Sequence, residues 1–287
     1  MLDYGKFELM QKDGTQATVL ASSGAPGESG VSVFGLRFAG GGYYSSQADH
    51  HLVFLMTSES ARVRCDIAGK KLEREATFGS IAICPANADC AAEAAASLDS
   101  LVVAVDPGTL SLAAADDKRL ELRVMDRLSG QDPAMLALAQ VLSAESRAGY
   151  PNGPLFWHET ARRFIDGILE RHTMEIERRV RGALGNEALA KLREFIMAHL
   201  SDPIDVPALA SIAGRSPFHF SRVFTQSVGI SPHRYVVHLR LQRAVELIGT
   251  RSGSFAEIAA LTGFADQSHL SRWVRRVHGV SLRQLAS

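Results

Sequence analysis

The hydrophobic and polar positions of residues 1–107 follow the two-residue period of β-strands. The alternating segments are 32–38 ("SVFGLRF") and 61–67 ("ARVRCDI"), and the unbroken apolar runs are 52–56 and 101–105. Turn-forming residues separate them at 22–30, at 40–46 and at Ala68-Gly69. Several short strands with regular turns predict a barrel or a sandwich.

After Asp106-Pro107 the period changes to that of amphipathic helices. The segments 133–146 and 155–180 have helical spacing, with a turn at 146–153 between them. In the second segment one stripe is marked by Leu155, His158/Glu159, Arg162, Ile165 and Leu169. This helical pair could pack on the β domain or form a homodimer interface, and the sequence pattern does not distinguish the two.

The last third of the chain repeats itself with a period of 49 to 50 residues. Residues 209–231 align with residues 258–281. The aligned pairs are Ala210 with Ala259, Gly214 with Gly263, His219 with His269, Ser221 with Ser271, Arg222 with Arg272, and Gly229 with Gly279. One helical segment lies between the two copies, from Pro232 to about Gly249.

Each copy is predicted to form a helix, a turn at glycine and a second helix. Ser216 followed by Pro217 is a typical helix start, and Asp266 is the expected cap in the second copy. In the first copy Phe220, Val223 and Phe224 should face inward, and 218, 221, 222 and 225 outward. This pattern is typical of helix-turn-helix units, whose second helix enters the major groove of DNA.

The connecting helix fits that interpretation. About 18 residues at ~1.5 Å per residue span roughly 27 Å, close to one turn of B-DNA at about 34 Å. Two recognition helices held in this way would enter successive major grooves without a second chain.

Net charge is zero, but its distribution is uneven. Residues 181–287 hold 13 Lys/Arg and 7 Asp/Glu, a net +6, and residues 1–180 hold 18 and 24, a net −6. This asymmetry favours contact between the last third and a polyanion. The N-terminus has no signal-like pattern, no apolar run is long enough to span a membrane, and the three cysteines suit a reducing cytoplasm.

The tandem pattern, which ends in "GFADQSHLSRWVRRVHGVS", resembles the AraC/XylS family of bacterial transcription regulators over residues 184–285. The resemblance implies double-stranded promoter DNA as partner, usually with activation through RNA polymerase. It also implies an N-terminal cupin-type barrel that senses a small molecule and supports a homodimer. The expected fold class is therefore α+β multidomain: a cupin-like β-barrel with flanking helices and an all-α tandem helix-turn-helix domain.

Three segments follow from this interpretation: 1–107 as a sensory domain, 108–180 as a helical linker or dimerisation segment, and 181–287 as the DNA-binding domain. The family's base-reading positions fall on Phe218, Ser221, Arg222, Gln267, Ser268 and Arg272. Phosphate contacts are expected from Arg215, His219, Arg240, Arg243, His269, Arg275 and Arg276. The chain departs from the family pattern at Trp273-Val274 and at Ser281-Leu282, where a Pro is expected to start the last helix.

An effector pocket is assigned by position alone to Phe38, Tyr44, His51 and Phe54. The adjacent His50-His51 lacks the His-x-His spacing of a metal-binding cupin, so no metal or other cofactor is expected. No catalytic order of residues stands out, and the chain is interpreted as not an enzyme. Two alternatives remain: an N-terminal module that dimerises or binds protein without ligand, and a cupin binder or enzyme with an accessory DNA-binding part.

Overall fold

The computed structural model describes residues 5–11, 18–23, 29–116, 122–175 and 184–286. These residues divide into two compact units. The first unit holds 30–107 and 123–174 together with the first two strands, and the second holds 108–116 and 184–286.

Ten strands form the greater part of the first unit. They are β1 (Gly5–Gln11), β2 (Thr18–Ser23), β3 (Val31–Phe38), β4 (Gly42–Ala48), β5 (His51–Met56), β6 (Ser60–Ile67), β7 (Lys70–Thr77), β8 (Ile81–Cys84), β9 (Cys90–Ala94) and β10 (Leu98–Val105). One five-stranded sheet has the order β1-β4-β9-β6-β7 and the other has the order β2-β3-β10-β5-β8. The pairings within both sheets are antiparallel.

The two sheets share one hydrophobic core. Phe34, Leu52 and Val102 come from one sheet, and Tyr44 and Ile67 come from the other. The alternation expected in 61–67 is confirmed, because the burial of β6 alternates along its whole length. The predicted turn at 68–69 is confirmed as well, with positive φ at both residues, 52° and 82°, as a tight hairpin turn requires.

The glycine-rich segment 40–46 is only partly a turn. Strand β4 begins at Gly42 and carries both tyrosines, and successive side chains on a strand point to opposite faces. Tyr43 is therefore exposed, and Tyr44 is buried in the core.

Two helices complete the first unit, α2 (Pro133–Arg147) and α3 (Gly153–Arg171). Helix α2 packs on β3 and β10. The stripe expected on α3 is wrong at its start, because Leu155 is 37% exposed. The buried face is instead centred on Trp157, Ala161 and Phe164, which recur at spacings of three and four residues.

The second predicted helix also ends earlier than expected. After His172 the chain forms a short strand, Thr173–Glu175 (β12), in a two-stranded sheet with Leu122–Val124 (β11). The remainder of the predicted helix, 176–180, lies outside the described residues.

A buried ionic cluster joins the start of α2 to the end of α3. The Asp132 carboxylate caps α2 by accepting from the Met135 amide at 3.0 Å. It also accepts from Arg171 Nε at 2.9 Å and from His172 Nε2 at 2.8 Å. Since Arg127 donates to Nδ1 of His172 at 2.9 Å, the imidazole is neutral and carries its proton on Nε2. Burial has the largest effect on the pKa of His172 and lowers it, which also favours the neutral ring.

The second unit is helical. Its helices are α1 (Pro107–Asp116, of which Pro107 belongs to the first unit), α4 (Asn186–Ala198), α5 (Val206–Ile212), α6 (Pro217–Val228), α7 (Pro232–Gly249), α8 (Phe255–Leu261), α9 (Gln267–His278) and α10 (Leu282–Leu285). The predicted connecting helix is confirmed as α7, with 18 residues.

Helix α7 contributes to two hydrophobic cores. Its N-terminal half places Tyr235 and Leu239 in a core with α4, α5 and α6. Its C-terminal half places Leu241, Ala244 and Ile248 in a core with α8, α9 and α10. A single rigid element therefore fixes the position of one helical group relative to the other.

A second contact joins the two groups at Gly263. Its φ is +73°, and a Cβ built on it would lie 2.0 Å from the carbonyl oxygen of Leu200. The equivalent turn residue in the first copy, Gly214, has a similar φ of +63° but nothing within 4 Å of such a Cβ.

We predict that Gly263→Ala destabilises the second unit more than Gly214→Ala does. Both alanines meet the strain of a left-handed backbone, about 1–2 kcal/mol. Only the first also forces a side chain against backbone, which costs about 1–3 kcal/mol more. Urea unfolding followed by far-ultraviolet circular dichroism measures the difference, and equal losses in the two variants would contradict the close contact.

Candidate nucleic-acid interface

The sequence repeat is also a repeat in geometry. Helices α5 and α6 join at Gly214, and α8 and α9 follow the same course through Gly263, both glycines having positive φ. Helices α6 and α9 each end at a left-handed glycine, Gly229 and Gly279. The chain therefore holds two helix-turn-helix units, as predicted.

The two recognition helices begin differently. Asp266 caps α9, and its carboxylate accepts from the His269 amide at 2.7 Å. Ser216 has the extended backbone of an N-cap at the start of α6, as predicted, but its side chain makes no capping hydrogen bond. The first turn of α6 therefore lacks the side-chain cap that α9 has.

Helix α6 separates its apolar side chains onto two faces. Phe220 and Phe224 are buried, as expected, but Phe218 is 85% exposed. Arg222 is exposed next to it, and Ser221 is half-buried, with its hydroxyl donating to the Pro217 carbonyl at 2.9 Å. The structure thus brings Phe218, Ser221 and Arg222 to one outward surface.

Helix α9 repeats this arrangement with polar residues. Gln267, Ser268 and Arg272 are exposed on one side, and Leu270 and Val274 are fully buried on the other. The three predicted base-reading residues of the second unit therefore share one outward surface as well.

The histidines that recur in the repeat make contacts within their own units. His219 Nε2 accepts from Arg215 at 2.7 Å, and His269 Nε2 accepts from the Trp273 indole at 3.1 Å. The neutral His219 ring therefore carries its proton on Nδ1, whereas His269 Nδ1 also faces a donor, the Ala265 amide at 3.4 Å. Trp273, one of the departures from the family pattern, is thus held within the second unit by its hydrogen bond to His269.

The final helix begins without the expected proline. The Ser281 side chain accepts from the Gln284 amide, and the Gln284 side chain accepts from the Ser281 backbone at 2.9 Å. This capping box supplies the helix start, and Leu282 is buried in the core.

A separate cavity lies in the first unit, between the two sheets. Its volume is about 90 Å³, and it is mostly apolar. Phe38, Tyr44 and Phe54 line it, so three of the four residues assigned to a pocket come together. Tyr44 and Phe54 pack edge to face at 4.9 Å, and burial raises the pKa of Tyr44 well above its usual value.

His51 does not line this cavity, and the assignment to it is corrected. Positions 51 and 54 lie three apart on β5 and so point to opposite faces. The His51 Nδ1 accepts from the Ala86 amide at 3.0 Å, and burial lowers the pKa of His51 to about 4. Nothing in the described ranges groups three or more potential metal ligands.

Arg74 lines the cavity, and sequence analysis did not identify it. Its guanidinium donates to the Leu128 carbonyl at 3.0 Å and to the Ser80 hydroxyl at 3.2 Å. Burial lowers its pKa, and within the described part of the chain no carboxylate contacts it. Its position in "EREAT" on β7 resembles that of any surface arginine, so only the fold reveals it.

Comparison with known proteins decides the class of the helical unit. A family model described as a helix-turn-helix domain matches residues 209–287. The probable transcriptional regulator LumQ of Photobacterium leiognathi is 38% identical over 87 residues, which are 30% of this chain and 35% of that protein. The C-terminal part of the chain is an AraC-type helix-turn-helix domain.

Two further proteins are similar to this domain. The regulator GbdR of Pseudomonas aeruginosa is 35% identical over 96 residues, 32% of this chain and 26% of that protein. A solved AraC-type regulator from Chromobacterium violaceum is 27% identical and covers 35% of this chain and 89% of its own, with a TM-score of 0.33. The matches to LumQ and GbdR span about a third or less of those proteins, so they bear on this domain and not on the first unit.

The predicted phosphate-contacting residues of the AraC-type domain differ in their surroundings. Arg275 is exposed, Arg243 pairs with Glu246 at 2.9 Å, and the Arg276 guanidinium lies 5.3 Å from the centre of the Trp273 ring. All three arginines can reach solvent.

Arg240 is half-buried within the domain. It donates to the Asp202 carbonyl at 2.7 Å, and its guanidinium lies within 2.7 Å of a Cβ built on Gly263. Its Nε has no hydrogen-bond partner among the described residues, and burial lowers its pKa. Arg240 thus bridges the two helix-turn-helix units, and phosphate contact by it stays a prediction.

We predict that Phe218→Ala changes the free energy of unfolding by less than about 0.5 kcal/mol, because the ring is exposed. Phe220→Ala, two residues away and fully buried, should lose about 3–5 kcal/mol. Urea unfolding of both variants measures the contrast. A large loss of stability in Phe218→Ala would show that the ring serves the core and not an outer surface.

Proposed function

We propose that this protein is a sequence-specific DNA-binding transcription regulator. The observation that carries the proposal is the pair of exposed faces on α6 and α9, presented by two equivalent units on one rigid helix. The Phe218 ring, which is 85% exposed at the start of α6, lies on the first of these faces. LumQ and GbdR, similar to this domain, are named as transcriptional regulators.

Base readout is assigned to the two faces. Arg222 and Arg272 would donate to guanine, Gln267 would bond adenine, and the Phe218 ring would pack on a thymine methyl group. Ser221 and Ser268 would bond bases or phosphates.

Phosphate anchoring is assigned to the cations around these faces. They are Arg215, His219, Arg243, His269, Arg275 and Arg276. Arg240 is assigned to positioning the second unit through its hydrogen bond to the Asp202 carbonyl, and to phosphate contact as a further role of its half-buried guanidinium.

The promoter, RNA polymerase and a homodimer are the further partners of this proposal, with activation as the outcome. The homodimer would use the exposed apolar residues Val141, Leu155 and Phe156 of α2 and α3. None of the helices in the described ranges is long and apolar enough to cross a membrane. We place the protein in the cytoplasm because its DNA partner lies there.

For the first unit we propose a cupin-like barrel that senses a small, mainly apolar molecule. Two facing five-stranded sheets with a cavity between them support this role. Arg74 would hold a polar or anionic end of the molecule, because a half-buried cation without a carboxylate favours one. Apolar side chains line most of the cavity, so the role is binding rather than catalysis.

We predict that the full-length protein selects a defined DNA motif with base preferences in two adjacent major grooves. Arg222→Ala and Arg272→Ala should each lose about 1–3 kcal/mol of discrimination at one base pair, in opposite halves of the motif. Binding selection from random double-stranded DNA at a fixed salt concentration measures both. Arg283→Ala, which removes an exposed arginine of α10, is the matched control.

Two outcomes of this selection would count against the proposal. Salt-sensitive binding without a motif would make the basic domain a general polyanion surface. Unchanged preferences in both arginine variants would remove their base-reading role.

We predict that small probes stabilise the first unit by entering the cavity. Benzene tests the apolar lining and butyrate tests Arg74, and each should raise the melting temperature of the full-length protein. Ala92→Leu, which fills the cavity, should abolish both shifts, and Arg74→Gln should abolish only that of butyrate. Folding of each variant is checked by circular dichroism without probe.

The absence of any shift in the wild-type protein would contradict the sensing role. Full DNA binding without an added molecule would then favour the alternative of a ligand-free dimerisation or protein-interaction module.

A further inference from the structure

Helix α1 is remote in sequence from the AraC-type domain, but its apolar side chains pack into the core of that domain. Ala115 is fully buried in the hydrophobic core of α4, α5, α6 and α7, and Leu112 packs against the same core. If α1 left this place, apolar surface of the domain would meet water, which disfavours release.

Asp116, the last residue of α1, accepts three hydrogen bonds from this domain. Its Oδ1 accepts from Arg193 Nη1 on α4 at 2.9 Å. Its Oδ2 accepts from His238 Nε2 at 3.0 Å and from Gln242 Nε2 at 2.7 Å, both on α7. Burial acts to raise the pKa of Asp116, but His238 and Arg193 outweigh it and hold the pKa below its usual value.

The start of α1 meets the end of the first recognition helix. A Cβ built on Gly229, the left-handed residue that ends α6, would lie 3.0 Å from the Gly108 Cα and 3.1 Å from the Ser111 Cβ. Helix α1 therefore contacts α6 of the first helix-turn-helix unit, and also α4 and α7, which share the core of that unit. It has no corresponding contact in the second core, whose members all come from 241–286.

The chain connects this contact to the cavity. Helix α1 follows β10 after a single residue, Asp106, and Leu98 and Ser100 of β10 line the cavity. One continuous segment thus runs from the cavity wall to the carboxylate that joins α4 to α7.

We propose that α1 is a coupling helix, and that Asp116 is the positioning residue through which it holds the first helix-turn-helix unit in its DNA-reading arrangement. Displacement of α1 would loosen α4 and α6 from α7, while α9 would stay in place through its own core. Regulation would therefore act on one half of the DNA motif. The DNA part of this inference rests on the proposed function; the docking of α1 does not.

Hydrogen exchange of the full-length protein without DNA tests the docking. Asp116→Asn keeps the shape of the side chain but removes the charge that three donors share. Amide exchange in 108–116 should then rise about tenfold or more, equivalent to ~1.4 kcal/mol. Glu187→Gln, which removes an exposed carboxylate of α4 that pairs with Lys191, should leave it unchanged.

Unchanged exchange of 108–116 in Asp116→Asn would overturn the proposal. If that variant fails to fold, Gln242→Ala decides instead. It removes one of the three donors and should raise exchange in 108–116 by a smaller factor, and no rise would again overturn the proposal.

DNA binding tests the coupling. Asp116→Asn should lose discrimination at the base pairs opposite α6 and keep it opposite α9, whereas Glu187→Gln should keep both. Equal loss in the two halves would mean a general structural role for Asp116 and would overturn the coupling. A wild-type protein that selects no motif would contradict the proposed function, and the exchange experiment would still decide whether α1 is held by Asp116.

Discussion

The arrangement of the AraC-type domain depends on the shared burial of α7. One helix supplies Tyr235 and Leu239 to the first core and Leu241, Ala244 and Ile248 to the second. Because an α-helix is stiff over 18 residues, burying its two halves in different cores fixes the spacing of α6 and α9. The contact of Gly263 with the Leu200 carbonyl and the bridge made by Arg240 limit rotation about that helix.

Because of this constraint, the outer faces of α6 and α9 are not needed to pack the two cores. Phe220, Phe224, Leu270 and Val274 carry the packing, so the residues on the opposite sides are available for a ligand. The exposure of Phe218 follows from its position on that opposite side. The proposed DNA contacts and the packing thus lie on different faces of the same two helices.

The first unit follows the same principle with sheets. The core between the sheets includes Phe34, Leu52 and Val102, and the lining of the cavity includes small residues such as Ala82 and Ala92. The half-buried Arg74 is accommodated in this mainly apolar wall because its guanidinium donates to the Leu128 carbonyl and to the Ser80 hydroxyl. It is a cation in the cavity lining, and the proposed binding of a polar or anionic end depends on it.

Local pattern determined much of this protein. The two-residue alternation of 61–67, the tandem repeat, its glycine turns, Asp266 as a cap and the bounds of α7 all follow from neighbouring residues, because periodicity and capping are local effects. The two outward faces followed from spacing along one helix. Tertiary structure decided what distant residues do to one another: which face of α3 is buried, that Tyr44 lines a cavity while His51 does not, and that Arg240 turns inward. It also placed Asp116 against Arg193, His238 and Gln242, since no local period relates residues 77 to 126 positions apart.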